Sequence, residues 1–275
     1  MAAKKTSLQK PGRASRSAAK PPARRRATPP AKAGVGEPGN AQWRRTWAAR
    51  NKAYAQVFGP AFPKDKVLLA DGSLVAPAAA SREQLCFIQY PPRPDRLGWI
   101  YVTHGLSQAC VKSNRPSRIE LALHWRERDN KAAVGVLAQV AKYMLETGVP
   151  LRSGAVLSSE EVPGLGIVNL RHWLACDPDE AMPAELEQPG GRIRFLLLLG
   201  ISDAEMQCML KVPQALADGR QVLLHALQNA GVFPMSDPDR TCLTRRTDFH
   251  RLWEKAFQTM REKMANGQEQ STHAQ

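Results

Sequence analysis

Thr103, His104 and Ser107 come closest to a nucleophilic arrangement in this sequence, because two hydroxyls and an imidazole share one short loop. Such residues could belong to a triad, in which the imidazole takes the hydroxyl proton and an acid orients it. The loop has no GxSxG segment, and the sequence alone places no acid beside it. We therefore interpret the segment as the end of a strand that turns at Gly105.

Carboxylates occur close together at two places. Asp203 and Glu205 are two residues apart and could act as an acid and a base. However, Ser202 stands three residues before Glu205, which is the spacing of a capping box at the start of a helix. The capping box is the simpler explanation for both acids, and we interpret Glu160-Glu161 as part of a solvated loop.

The sequence shows no metal or cofactor motif. His172, Cys176 and Asp177 are close in sequence, but their spacing matches no zinc site, and His225 lies within a helical segment. There is no HExxH, no phosphate-binding glycine loop and no GxGxxG. We therefore predict that the protein is not an enzyme and has no catalytic, cofactor-binding or metal-binding residue.

Two predicted strands position the Thr103 loop. The run from Trp99 to Thr103 is aromatic and β-branched, which favours a strand. The run from Ile119 to Trp125 alternates apolar residues with Glu120, Ala122 and His124. A period of two predicts one apolar face and one face that carries a charge and an imidazole. Further strands and a helix are needed to cover the apolar face.

Helices and strands follow one another irregularly in the rest of the chain. Helical spacing and end signals predict five helices. One runs from an N-cap at Asn130 to a C-cap at Gly148, and another starts at Ser202. The other three cover 42–58, 221–230 and 248–264. Strand-like runs cover 85–90, about 167–173 and 192–199, the last apolar enough for a buried central strand. This pattern predicts an α+β or irregular α/β fold, in which helices cover a mixed sheet.

Several large side chains are assigned to helix faces. Trp43 and Trp47 could form a stripe for docking a partner, although packing onto the domain is the favoured interpretation. Met206, Met209 and Leu210 are expected to face inward on the helix that starts at Ser202. The sequence assigns no partner-binding residue.

The charge of the chain is concentrated near its N-terminus. The 275 residues carry a net charge of +14, and residues 1–40 hold ten Lys and Arg against a single acid. Residues 41–66 add six basic residues and one acid, whereas the sequence from Val67 onward is balanced. The first 40 residues have almost no large apolar side chain, so we predict a disordered tail. The domain is expected over 41–265, with a disordered C-terminal tail over 266–275.

Cysteine usage and hydropathy favour the cytoplasm. The five cysteines lie far apart without a CxxC pair, which argues against a disulfide scaffold. No run of about 18 apolar residues is present, so no membrane span is expected. The basic N-terminus lacks the apolar segment of a secretory signal. We therefore expect a cytoplasmic protein without a membrane partner.

A set of segments is similar, in order and spacing, to one known family. They are Tyr101–Ser107, Arg118–Leu121, the helix from Val134 with the turns at Gly148 and Gly154, Gly200–Glu205, and Gly231–Cys242. The first resembles a strand end of pattern T-x-G-x-S, and the last contains a D-P-x-R segment at Asp237–Arg240. Over roughly residues 45–245, the chain resembles the Suppressor of fused domain family, especially its bacterial members.

The resemblance implies a Suppressor of fused-like domain that binds proteins. In animals, members of this family sequester zinc-finger transcription factors and take up a partner segment as an added strand. Bacterial members look like immunity proteins of polymorphic toxin systems, which neutralise a toxin domain by binding it. We therefore expect a non-catalytic protein that binds a toxin domain, or another client protein, stoichiometrically.

The alternative function is nucleic-acid association through the basic tail. Its densest charge is Arg24, Arg25 and Arg26, which could neutralise phosphates. A solvated extension is the simpler interpretation of the tail, because it has no aromatic side chain to stack on a base. An enzyme and a scaffold protein are the remaining alternatives.

Truncation tests the role of the tail. Removal of residues 1–40 should leave the melting temperature essentially unchanged, because the tail contributes little buried apolar area. Any DNA binding should depend on the tail, tolerate any DNA sequence and fall steeply with salt, because phosphate contacts release counterions. Tight DNA binding by a chain that starts at Val67, or salt-insensitive binding by the full chain, would contradict this prediction.

Overall fold

The computed structural model describes residues 38–64, 66–76, 85–108, 117–179, 182–188 and 191–272, with only the backbone for 38–44 and 267–272. Arg24, Arg25 and Arg26, like most of the predicted tail, lie outside these residues. Within the described ranges, no helix is both long enough and apolar enough to cross a membrane.

Five helices and nine strands form the described part of the chain. The helices are α1 (Pro38–Phe58), α2 (Asn130–Thr147), α3 (Asp203–Leu210), α4 (Gly219–Asn229) and α5 (Phe249–Thr272). The strands are β1 (Val67–Leu68), β2 (Leu74–Val75), β3 (Cys86–Tyr90), β4 (Trp99–His104), β5 (Ile119–Trp125), β6 (Val156–Ser158), β7 (His172–Cys176), β8 (Glu185–Gln188) and β9 (Gly191–Ile201). Short 3₁₀ turns cover Leu106–Gln108 and Leu243–Arg245.

All nine strands belong to one mixed sheet. Its order is β2-β1-β3-β4-β5-β9-β7-β6, and β8 pairs with β9 beside this path. β5 and β9 are parallel, and the other named strand pairs are antiparallel. β9 is eleven residues long, so one of its edges pairs with β5 while the other pairs first with β8 and then with β7.

Helices cover both faces of this sheet. α2 packs on one face, where Leu137 joins a core that includes Leu121 and Leu123 of β5. α1, α4 and α5 pack on the opposite face, where Tyr54 joins a core that includes Ala122. The predicted fold class, a mixed sheet covered by helices, is confirmed.

The double helical cover changes the environment expected for β5. The sequence pattern predicts helical cover for the apolar face alone, but Glu120 and Ala122 on the other face are 0% exposed and His124 is 5% exposed. A period of two therefore marks two buried faces here, because α1, α4 and α5 form the second layer. The polar residues of β5 consequently need internal partners.

The ends of α2 confirm one prediction and correct another. Gly148 is the C-terminal cap, with a left-handed φ of 75° that favours glycine. The N-cap is Asp129 rather than Asn130, since the Asp129 carboxylate accepts a hydrogen bond of 3.0 Å from the Ala132 N–H. Asn130 is the first helical residue, and its side-chain oxygen accepts a hydrogen bond from Tyr101.

Two further predictions of local structure are wrong. The strand expected over 167–173 starts only at His172, because Ile167 and Leu170 close a tight turn through two backbone hydrogen bonds of 3.0 and 2.8 Å. Leu210 was expected to face inward but is 61% exposed, since α3 is short and Leu210 is its last residue. Met209 does lie inside, at 5% exposure.

The first and last helices are longer than predicted. α1 begins at Pro38, before the predicted start at 42, and α5 extends beyond 264 to Thr272. α5 therefore enters the segment 266–275 that the sequence analysis assigned to a tail. The division of the chain into domain and tails stays a prediction.

The N-cap of α2 is open to a direct test. Asp129→Ala should lower the free energy of unfolding by about 1 kcal/mol, because the Ala132 N–H loses its acceptor. Glu127→Ala is the control, since Glu127 is exposed, and it should change stability by less than about 0.5 kcal/mol. Equal effects of the two substitutions in urea unfolding would show that Asp129 does not act as the cap.

Candidate functional site

The turn after β4 brings the candidate triad residues to the start of β5. Gly105 has a φ of 110°, and a side chain there would meet open space, so it is the backbone conformation that favours glycine. The 3₁₀ turn that follows directs Ser107 back toward Glu120. Thr103, at the end of β4, reaches the same carboxylate.

The Glu120 carboxylate accepts four hydrogen bonds. Its Oε1 accepts from the N–H groups of Gly105 and Ser107 at 3.1 Å each, and from Ser107 Oγ at 2.6 Å. Its Oε2 accepts from Thr103 Oγ1 at 2.6 Å. Because Thr103 Oγ1 itself accepts from the Leu121 N–H at 2.8 Å, its own proton is available to Glu120. Four donors around one carboxyl group suit its ionised form.

Arg50 of α1 supplies the opposite charge. Its Nη1 lies 3.7 Å from Glu120 Oε1, and its Nε donates to Gln188 Oε1 of β8 at 2.7 Å. Burial raises the pKa of Glu120, and the charge of Arg50 and the hydrogen bonds from Ser107 and Thr103 offset this only in part, so the pKa is raised overall. Arg50 of α1 therefore links β5, through Glu120, to β8, through Gln188.

Sequence reasoning missed Arg50, although a signal for it was present. Arg50 stands three residues after Trp47 and four before Tyr54, so all three lie on one face of α1. Tyr54 is fully buried, and Arg50 is 2% exposed. A basic residue within such an apolar stripe indicates a buried acidic partner.

His104 lies beside this cluster without joining it. Its ring packs against Trp47, with centroids 3.8 Å apart, and neither ring nitrogen has a hydrogen-bond partner among the described residues. Burial, followed by the nearby charge of Arg50, lowers the pKa of His104 well below its usual value. The ring is therefore neutral at neutral pH. Trp47 thus packs into the domain as predicted, whereas the side chain of Trp43 lies outside the described part.

The cluster and the neighbouring His104 are closed to solvent. Thr103, His104, Ser107 and Glu120 are each at most 3% exposed. The Ser107 hydroxyl donates to Glu120 rather than to His104, so the nucleophile–base pair of a triad is not formed. The structure shows that Glu120 is the acid that the sequence could not place. It also shows that Glu120 and the three candidate triad residues are all buried in the core.

The carboxylates of α3 act as the capping box predicts. Ser202 and Glu205 exchange the two reciprocal hydrogen bonds, and Glu205 also pairs with Arg240 through two contacts of 2.6 Å. Burial raises the pKa of Glu205, but the Arg240 hydrogen bonds and charge outweigh it, so the pKa is lowered overall. Glu205 Oε1 accepts a further hydrogen bond of 2.7 Å from the Leu243 N–H. This ion pair therefore holds α3 to the segment before α5.

The remaining candidate residues are dispersed. His172 pairs with Asp203 at 2.9 Å, whereas Asp177 pairs with Arg194 at 2.6 Å and Cys176 is buried. His225 lies 3.3 Å from Lys263 on α5, and burial and this charge lower its pKa. The Glu161 carboxylate accepts from the Ser158 N–H at 3.1 Å, and Glu160 is exposed. Across the described ranges, no three His, Cys, Asp or Glu residues are placed to hold a metal ion.

An open groove of about 610 Å³ is a concave feature of the described residues that sequence reasoning missed. It lies among α3, α4, the start of β6 and Met264 of α5. Its lining is mainly apolar, with Asp218, Arg220 and Gln214 as the polar side chains; the apolar members include Val156, Met206, Met209, Leu210, Val212 and Met264. We name this feature the methionine groove. A sequence signal existed in Leu210, which was expected to face inward but is exposed beside Met206 and Met209.

The adjoining edge of β6 is partly blocked. β6 pairs only with β7 among the described strands, so its other edge is free. The register directs the N–H and C=O of Val156 toward that edge. On either side, Arg220 donates to the Gly154 carbonyl at 3.0 Å and Glu161 accepts from the Ser158 N–H. Little continuous backbone is left for a further strand to bind.

Comparison with known families identifies the fold. The family model described as Suppressor of fused protein (SUFU) matches residues 81–241, which is more than half of the chain. The chain belongs to this family. The resemblance noted in the sequence is thereby confirmed at the level of the family. No curated protein matches the chain.

Solved structures of the SUFU family share the fold. The chain aligns with the Sufu–Fu complex structure at a TM-score of 0.53 and 15% identity, covering 78% of this chain and 96% of that one. It aligns with Drosophila Suppressor of Fused at 0.53 and 16%, covering 80% of this chain and 54% of that one. A SUFU homologue from Neisseria gonorrhoeae gives a TM-score of 0.42 and 19% identity, covering 58% and 78%. The chain thus spans about half the length of the Drosophila protein.

The buried imidazole of this SUFU domain makes its stability depend on pH. His104 binds a proton near pH 6.5 when unfolded, but only at lower pH when folded, so acid favours unfolding. Between about pH 7.5 and about pH 5.5, the wild type should lose about 1 kcal/mol more than His104→Leu.

Comparing how the stability of the wild type and of His104→Leu changes with pH isolates the contribution of His104 from those of the other titrating groups. The raised pKa of Glu120 acts in the opposite direction, since the folded state then takes up a proton more readily as the pH falls, and this contribution is common to both proteins. Thermal unfolding across this pH range measures the difference. Parallel stability curves for the two proteins would contradict a neutral buried His104.

Proposed function

We propose that this SUFU domain is a non-catalytic, cytoplasmic protein that acts by stoichiometric binding of a protein partner. The observation that carries the proposal is the burial of Thr103, His104, Ser107 and Glu120, each at most 3% exposed. The side chains most suited to catalysis are thereby occupied within the core. The residues that bind the partner must therefore lie on the surface of the domain.

Membership of the SUFU family supports a protein as the partner. One similar structure is that of the Sufu–Fu complex, so a relative with this fold has been solved together with a protein. At 15% identity the likeness concerns the fold alone, so the partner of this chain must be proposed from its own features. The open methionine groove offers a surface of the size and apolar character that binding sites use.

The partner we propose is a toxin domain, which the protein neutralises in the manner of an immunity protein. This role is suggested by the resemblance to bacterial members of the family. It sets a requirement on the concentration of the protein. A protein that protects by occupying its target must be present at least at the concentration of that target. Association of the basic tail with nucleic acid remains the alternative, favoured by the ten Lys and Arg among residues 1–40.

Titration against a neighbouring gene product tests the proposal. The chain should bind the product of an adjacent toxin-like gene at a fixed stoichiometry in calorimetry. Protection of cells that make the toxin should then saturate near one chain per toxin domain, because each bound chain blocks one target. Failure to bind any neighbouring product would leave the scaffold interpretation.

A matched variant separates binding from catalysis. Asp203 is 58% exposed and pairs with His172, so this pair is the most accessible candidate for acid–base chemistry. Asp203→Asn should leave both complex formation and protection unchanged. Protection far below equimolar amounts, lost in Asp203→Asn while binding persists, would make the protein an enzyme.

A further inference from the structure

The methionine groove has the chemistry of a docking surface for a helix. Its lining includes Met206, Met209 and Met264, whose unbranched side chains adapt to different partner shapes. Leu210 at its border is 61% exposed, although it is a large apolar residue. Docking a partner there would remove this leucine from water.

Two basic residues flank the groove lining in the sequence, and we call them the rim residues. Lys211 stands between the lining residues Leu210 and Val212, and Arg152 stands two positions before the lining residue Gly154. Both basic side chains are exposed, and neither forms a salt bridge to another described residue. The acid of the lining, Asp218, is already paired with Arg220 at 3.0 Å. Apart from this pair, the exposed charges beside the lining residues Leu210, Val212 and Gly154 are positive, which favours an acidic partner.

The edge of β6 argues against an added strand as the occupant. Strand addition needs a row of free donors and acceptors, but the Gly154 carbonyl is bonded to Arg220 and the Ser158 N–H is bonded to Glu161. Val156 alone would contribute both of its outward groups. A helix needs no such row, because its backbone is bonded internally and it binds through side chains.

From these observations we infer that the methionine groove binds an amphipathic helix of a partner protein, with apolar residues facing Met206, Met209 and Leu210 and acidic residues facing Lys211 and Arg152. The inference rests on the proposed function, since it names the surface and the partner chemistry of that binding. Apolar contact supplies affinity, and the rim charges select the partner.

Three synthetic peptides test the inference on the full chain. The first, about 16 residues long, has leucines at i, i+3, i+4 and i+7 with glutamates on the other face. The second replaces the glutamates with lysines, and the third has the composition of the first with its leucines in strict alternation. Fluorescence anisotropy should show binding of the first peptide that weakens as salt rises, because the rim charges are exposed. The other two peptides should bind more weakly.

Substitutions locate the binding on the chain. Leu210→Glu should weaken binding of the acidic helix about tenfold or more, since it places a like charge in the apolar contact. Lys211→Glu should weaken the acidic helix and strengthen the basic one. Val168→Glu is the matched control, because Val168 is 90% exposed and does not line the groove, and it should have no effect. Unchanged melting temperatures verify that the variants fold.

Each contrary result overturns the inference. Absence of binding, tighter binding of the alternating peptide, preference for the basic helix, or insensitivity to Leu210→Glu would each show that the groove does not bind an acidic helix. None of these results bears on whether the chain forms a stoichiometric complex with a toxin domain. The calorimetric titration decides that separately.

Discussion

The folded state depends on the compensation of one buried negative charge, the carboxylate of Glu120. Moving an ionised carboxyl group out of water costs several kcal/mol unless it gains both hydrogen bonds and an opposite charge. Here the compensation comes from three places: the end of β4, the 3₁₀ turn and Arg50 of α1. Loss of any one partner would leave a charge poorly solvated in the core. The charge therefore favours the observed positions of α1 and the turn on the sheet.

This use of polar residues explains why motif chemistry is misleading in this chain. A hydroxyl, an imidazole and a carboxylate within one loop are the components of a nucleophilic site, and Ser107, His104 and Glu120 do come together. Their burial and the direction of their hydrogen bonds argue against a catalytic role for these three side chains, because the serine hydroxyl donates to the carboxylate and the imidazole packs on Trp47. A residue set becomes an active site only where a substrate can reach it.

Local patterns predicted the parts of this fold that depend on local physics. β5 has its predicted bounds, Gly148 caps α2, and Ser202 with Glu205 forms the capping box, because each feature is determined within a few residues. Partnerships between distant residues were not predictable. Arg50 and Glu120 are seventy positions apart, and the cover over β5 depends on helices from both ends of the chain. Asp129 and Asn130 are both good N-caps, and only the hydrogen bond from the Ala132 N–H to Asp129 separates them.

The buried charge cluster and the proposed recognition surface occupy different parts of the domain. The Glu120 cluster lies among α1, β4, β5 and β8, whereas the methionine groove is lined by α3, α4, α5 and the start of β6. No residue of the cluster lines the groove. An exposed residue in or beside the groove, such as Leu210 or Lys211, can therefore be substituted without disturbing the buried charge. A fold shared at 15% identity can thus keep its architecture while surfaces of this kind diverge, since sites distant from each other change stability independently.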